Sequence, residues 1–222
     1  QNHYRRAVAQ FTAIQQWDWV VKTTAEQAGL YFNQKEYDTA EQLLLSVTRN
    51  LKGKGQAANA IVLYDSLITG SLNAHRGEKA WQYFQALSGN LSPKKISSKA
   101  VNYGALSLAR NLFGEAARFY AKAIPIYRRI GDHQMSGRIK NELGLVLIEL
   151  NDFDQAKKVL GEALAIARRT GDRVLESETR INLGEGARRE RKPEAAIPHL
   201  TKAVKLNIDL NDLKGAAIAC ND

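Results

Sequence analysis

The sequence predicts an all-α chain built as a solenoid of stacked antiparallel helix pairs. Three observations predict it. Similar segments recur at a fixed step of 40 residues, with "RRIGD" at 128–132, "RRTGD" at 168–172 and "IDLND" at 208–212. Apolar residues inside each segment follow i, i+3, i+4 spacing, not strict alternation. Helix breakers are scarce, with only 4 prolines in 222 residues.

The repeat is clearest when aligned on Gly104, Gly144 and Gly184, in "VNYG", "NELG" and "INLG". Twelve residues after each glycine comes Ala116, Ala156 or Ala196, and seven further on Ala123, Ala163 or Ala203. Three residues before the first alanine stand Phe113, Phe153 and Pro193. Within a unit, Ile139, Leu143, Val146, Leu147 and Leu150 form one apolar helical face over about 137–150. "ND" at 151–152 turns the chain. Ala156, Val159, Leu160, Ala163, Leu164 and Ala167 then line a second helix. "GD" closes it: glycine suits the left-handed cap, and aspartate caps the helix that follows. Gly144 and Ala163 fall where helices must approach closely. Pro125 and Pro198 lie inside second helices, where proline is expected to kink the axis.

Toward the N-terminus the pattern weakens. Ala28 and Ala40 keep the twelve-residue spacing, with Tyr37 at the aromatic position, and Ile68 and Ala80 keep it again. The following step is short, 36 residues, and coincides with "GNLSPKKISS" at 89–98, which reads as a loop between repeats. Residues 1–16 read as a helix carrying Tyr4, Ala7, Val8, Phe11 and Ile14 on one face. The organisation is one solenoid over 1–222. A degenerate helix and two repeats fill 1–97; three well-matched repeats, the last incomplete, fill 98–222. The chain opens on Gln1, and its last residues fall where another first helix starts, which predicts a piece of a larger protein.

Composition excludes several classes. Hydrophobic residues make up 44% and charged residues 25%, a globular balance that argues against disorder. No run approaches the roughly 18 apolar residues a membrane span needs. The expected compartment is the cytoplasm in preference to an extracytoplasmic sensor region. The single cysteine, Cys220, permits no intramolecular disulfide and reads as a small packed residue. Four scattered histidines lack metal-ligand spacing. The net charge of +9 is spread, with 12 basic and 7 acidic residues to position 100 and 20 and 16 beyond it. "LKGKGQ" at 51–56 lacks the full phosphate-loop pattern and reads as a turn. "LGEGARRERK" at 183–192 reads as a solvated helix end whose basic residues suit the helix dipole. Trp17, Trp19 and Trp81 read as packing between helices. No residues form a catalytic, metal or cofactor constellation, so the chain is read as a non-enzyme.

"NELGLVLIELNDFDQAKKVLGEALAIARRTGD" at 141–172 resembles a tetratricopeptide repeat, through Leu143, Gly144, Leu147, Phe153, Ala156, Leu160 and Ala163. The 40-residue period is similar to the long subclass of kinesin light chains, bacterial peptide-responsive regulators and helical sensor regions of bacterial signalling proteins. Ile68 and Gly77 depart from the pattern. The resemblance implies a right-handed superhelix whose first helices line a concave groove for a protein or peptide. It implies no reaction and no cofactor.

Stepping 100° per residue from each repeat glycine marks the groove face. It holds Asn102 in the third unit; Arg138, Asn141, Leu145 and Glu149 in the fourth; Ile181, Asn182, Glu185 and Arg189 in the fifth. The asparagines form a row, continued by Asn221. An amide both donates and accepts, so the row suits a peptide backbone; alternatively, it bridges neighbouring repeats. Only Arg138 and Arg189 could serve a carboxylate clamp, and acids sit beside them, which argues against that use. The expected function is a non-catalytic protein- or peptide-binding module, the sensing or scaffolding part of a larger signalling protein. The alternative is a nucleic-acid-associated regulator using the basic surface.

Overall fold

The computed structural model describes residues 2–221, which form twelve α-helices and no strand. They fall into two compact units that divide between Ser92 and Pro93. The first holds α1 (Asn2–Ala13), α2 (Trp17–Asn33), α3 (Tyr37–Gly53), α4 (Ala57–Asn73) and α5 (Gly77–Ser88). The second holds α6 (Pro93–Ala109), α7 (Phe113–Arg129), α8 (His133–Glu149), α9 (Phe153–Thr170), α10 (Arg173–Arg189), α11 (Pro193–Asp209) and α12 (Leu213–Asn221). Within each unit, consecutive helices pack as antiparallel neighbours.

The turns set a ruler finer than the sequence repeat. One residue per turn has positive φ: Gln15, Lys35, Gly55 and His75 in the first unit, then Asn111, Gly131, Asn151, Gly171, Arg191 and Asn211 in the second. Within each unit these positions are 20 residues apart. A typical helix such as α8 has 17 residues, leaving three for the turn. The left-handed residue reverses the chain and ends the preceding helix. Asp132, Asp152 and Asp172 then accept the amides of Met135, Gln155 and Leu175 at 3.0, 3.3 and 3.0 Å. These carboxylates satisfy donors that the first helical turn leaves unpaired.

Close approach sets the packing of the second unit. A Cβ on Gly104 would stand within 3.0 Å of the Tyr120 ring; on Gly144, of the Leu160 side chain; on Gly184, of Leu200. Each partner lies sixteen residues downstream, on the second helix of the same pair. Buried alanines flank these contacts, with Ala116, Ala123, Ala156, Ala163, Ala196 and Ala203 all at most 4% exposed. In the first unit, Leu44, Leu63, Leu67, Ile68, Leu72, Phe84 and Leu87 are fully buried. Ile68 occupies a repeat position where small residues are usual. Gly70, two residues on, makes a different close approach, to the Phe32 ring of α2. A polar cluster ties α3 to α5. Glu41 accepts from Tyr83 and from Lys79 at 2.8 Å, and Arg76 reaches Asp38 at 3.2 Å.

Several expectations are corrected. Residues 93–98 are not loop, because Pro93 starts α6 at the helical position where a missing N–H costs nothing. The expected boundary at 97 therefore falls inside a helix. Pro125 and Pro198 lie inside α7 and α11, as expected. Both prolines are exposed, so each carbonyl deprived of its donor lies on a solvated face. Trp19 of α2 stacks on Phe11 of α1 but stays 49% exposed, with Lys22 over its ring. Cys220 is exposed.

Gly144→Ala is expected to cost about 1–3 kcal/mol in chemical denaturation, because Leu160 is buried and must move. In a Leu160→Ala background the same change should become stabilising by up to about 1 kcal/mol, the helix preference of alanine over glycine. Equal effects in both backgrounds would refute the contact. Gly171→Ala, at φ 69°, is expected to cost about 1–2 kcal/mol.

Candidate functional site

In the second unit, first helices α8 and α10 pack side by side, and three polar rungs join them. At the N-terminal end, Gln134 and Arg138 of α8 donate to the carboxylate of Asp172, the cap of α10, at 3.0 and 3.1 Å. Midway, Asn182 Nδ2 donates to Asn141 Oδ1 at 3.0 Å. At the C-terminal end, Arg189 sits between Glu149 at 2.9 Å and Glu185 at 2.5 Å. Glu149 and Arg189 hold the same place in successive repeats. Two helices in parallel register bring such places together, which is why pairs some 40 residues apart meet.

The candidate residues divide by exposure. Asn102, Arg138 and Arg189 are exposed; Leu145, Glu149, Ile181, Asn182 and Glu185 are half-buried. Asn141 differs from expectation. It is 4% exposed, and its amide is turned onto α10. The cause is a one-residue phase difference: Asn102 and Asn182 stand two before their repeat glycines, and Asn141 three. About 100° of helix rotation follows from that step, and Glu142 takes the place that matches Asn182. The Asn221 side chain lies outside the described residues.

Glu142, two before its repeat glycine, lies on the groove face that the helical step marks in the fourth unit. Burial pushes its carboxyl above the usual range, and the charge of Glu178 adds to this. Asp172 moves the other way. Burial raises it, but hydrogen bonds from Gln134, the Leu175 amide and Arg138 together hold it below the ordinary value. The cap role of Asp172 was legible in "GD". Its role in anchoring Arg138 was not, because that contact spans 34 residues. The face thus carries Glu142, Glu149, Asp172, Glu178 and Glu185 against Arg138 and Arg189. Among the described residues, no group of three His, Cys, Asp or Glu is placed to hold a metal. No described helix is long and apolar enough to cross a membrane.

Opposite pH signatures follow. The folded-state pKa of Glu142 is raised, so its ionisation costs stability as pH rises above 4.5. Glu142→Gln should raise Tm at neutral pH, with the gain vanishing as pH falls toward 4.5. The folded-state pKa of Asp172 is lowered, so its contribution is present above 3.8 and lost as pH falls through its folded value. Asp172→Asn, which keeps a capping side chain but loses the charge facing Arg138, should cost about 0.2–1 kcal/mol at neutral pH, fading in acid. Parallel Tm–pH curves for the wild type and both variants would overturn these assignments.

Comparison with known proteins agrees with this architecture. The family model for the tetratricopeptide repeat matches residues 95–169 and 136–208. No curated protein sequence matches the chain. Among solved structures, BtubC from P. vanneervenii aligns with a TM-score of 0.56 at 19% identity, covering 95% of this chain and 90% of that one. A putative kinesin light chain repeat protein of Podosopora anserina aligns at 0.56 and 12% identity, covering 86% and 96%. A signal transduction ATPase with a tetratricopeptide repeat sensor, from Pyrococcus horikoshii, aligns at 0.53 and 19%; the match covers 97% of this chain but 33% of the other. At such identities the likeness concerns the fold. Together with the family match over more than half its length, it leads to one conclusion: this chain belongs to the tetratricopeptide repeat family, whose repeats generally mediate protein–protein interaction.

Proposed function

We propose that the chain is a non-catalytic module that binds a peptide or extended protein segment along the first helices α6, α8 and α10. On this reading it is the sensing or scaffolding part of a larger signalling protein. The observation that carries the reading is the Asn141–Asn182 pair. Asn141 spends its acceptor on holding Asn182 in place. Asn182 uses one N–H on that bond, so its Oδ1 and second N–H are free to meet a peptide group. Asn102, exposed on α6, extends the row. Half-buried Leu145 and Ile181 give apolar footing beside it. Asn141 is then a positioning residue, and Asn182 and Asn102 are the contact residues. The repeats of the Pyrococcus protein, which its name calls a sensor, are a precedent for the sensing half of the reading.

Charge refines the ligand. Acids outnumber bases on this face, and Arg138 and Arg189 are already held by Asp172, Glu149 and Glu185. A neutral or basic segment fits better than an acidic tail or a nucleic acid. The alternative reading, a nucleic-acid-associated regulator, draws on a different surface. Lys122, Arg128 and Arg129 of α7 and Lys158 and Arg169 of α9 are exposed on second helices.

The test is selection of a random twelve-residue peptide library on the full chain, followed by titration of the best binder. Asn182→Ala is expected to weaken it by about 0.5–1.5 kcal/mol, one net hydrogen bond. Ile181→Asp should weaken it further. Asn141→Ala should lower Tm as well as affinity, because it strips a buried partner. Full affinity in both Asn182→Ala and Ile181→Asp would remove this face from the mechanism. Tight binding of a random-sequence duplex or RNA with a steep salt slope, lost on charge reversal at Arg128 and Arg129, would favour the alternative.

A further inference from the structure

A cavity of about 110 Å³ lies between α9, α10 and α11, with Asn182 of the peptide face on its lining. Its floor is Phe153, Ala156, Leu160 and Leu183, with Ile148 behind. Its rim carries Lys157, Glu190 and Lys192. The repeat explains why it exists. Forty residues earlier, the equivalent places hold Val146, Leu147, Leu150 and Val159; here they hold Gly186, Ala187, Glu190 and His199. Ile148 leans into the space that Gly186 leaves, where a Cβ would stand 3.2 Å from its Cδ1. Nothing fills the room left by Ala187.

The second observation is His199. Its Nδ1 is buried and has no hydrogen-bond partner among the described residues. A buried polar atom without a partner costs free energy, and this one belongs to a histidine standing where the preceding repeat has Val159. The surrounding charge tells which kind. Burial lowers the pKa of His199, and Arg180, Lys157 and Arg168 lower it further, so the imidazole is neutral and stands in a positive field. Glu176 holds Arg180 at 2.9 Å and Arg168 at 3.4 Å, and Glu190 pairs with Lys192. Lys157 has no ion-pair partner among the described residues.

We propose that this cavity binds a compact apolar carboxylate, its branched hydrocarbon on Phe153, Leu160 and Leu183 and its anionic oxygen at His199 and Lys157. An apolar cavity of about 150 Å³ holds a benzene ring, so about 110 Å³ takes a branched group of leucine size. Two sources offer this chemistry: a free short-chain acid, and the C-terminal leucine of a peptide. Binding couples to a proton. The carboxylate offsets the field of Arg180, Lys157 and Arg168 and favours protonation of His199, so affinity rises as pH falls toward the lowered pKa of that imidazole.

The experiment is calorimetric titration of the full chain with 4-methylpentanoate, its amide, and a pentapeptide ending in leucine as free acid or amide. His199 ring signals are followed by NMR. A small apolar acid should bind with a Kd of about 1 mM, at least about tenfold tighter than its amide. Ala187→Leu restores the side chain of the preceding repeat and should abolish binding without lowering Tm. Lys157→Met, exposed and harmless to folding, should weaken the acid and leave the amide unchanged. A peptide acid that binds tighter than 4-methylpentanoate assigns the site to a C-terminus; the reverse assigns it to a free acid. The proposal is overturned if neither acid saturates or moves the His199 ring by about 10 mM. It is equally overturned if a folded Ala187→Leu keeps the wild-type affinity. If Ala187→Leu does not fold, Lys157→Met decides: loss of the acid preference supports the site, and no change overturns it. Ile181 does not line the cavity, so the peptide-face variant Ile181→Asp should leave this titration untouched, and the two sites fail or hold separately.

Discussion

The structure of the second unit depends on the close approach of two helices at a glycine. Gly104, Gly144 and Gly184 each let a bulky side chain from the partner helix, Tyr120, Leu160 or Leu200, fill the space a Cβ would need. That contact brings the axes near enough for the flanking alanines to be buried between them. It also fixes which face of the first helix is buried. Asn102, Arg138, Asn182 and Arg189 stand on the opposite face, whereas Asn141 is turned onto α10.

A second constraint acts between pairs. First helices α8 and α10 run in the same direction, so equivalent places in successive repeats become neighbours. The rungs at Asp172, at Asn141–Asn182 and at Arg189 use this geometry. The outer two are exposed ion pairs and contribute little energy each. The asparagine pair is buried on one side and holds an amide in a fixed orientation. Stability and presentation are thus divided: apolar closeness within a pair holds the unit together, and polar contacts between pairs orient the face. The cavity beside His199 belongs to neither role, since it lies where the fifth repeat loses the bulk of the fourth.

The turns show how one conformational constraint can be met by different chemistry. The positive-φ place holds Gly131, Asn151 and Gly171, which adopt it readily, but also Gln15, Lys35 and Arg191, which do not. The degenerate look of the early repeats comes from such substitutions. Lys35 and His75 hide the turn from a search for glycine, yet the chain reverses there as it does at Gly131. Packing on both sides of the turn outweighs the local cost.

The sequence by itself determined the helices, their pairing, the left-handed ends at Gly131 and Gly171 and the close-approach glycines. These follow from local periodicity, residue size and turn chemistry, all of which repeat along the chain. Tertiary structure alone decided the 20-residue step at Lys35 and His75 and the helical start at Pro93. Each depends on what packs beyond the turn. It alone decided the site as well. Asn141 turns inward because α10 lies against it, one residue out of phase with Asn182. Glu142 and His199 acquire shifted pKa values from groups brought in by other helices. A rotation of 100° per residue describes one helix; burial and charge at a site are set by its neighbours.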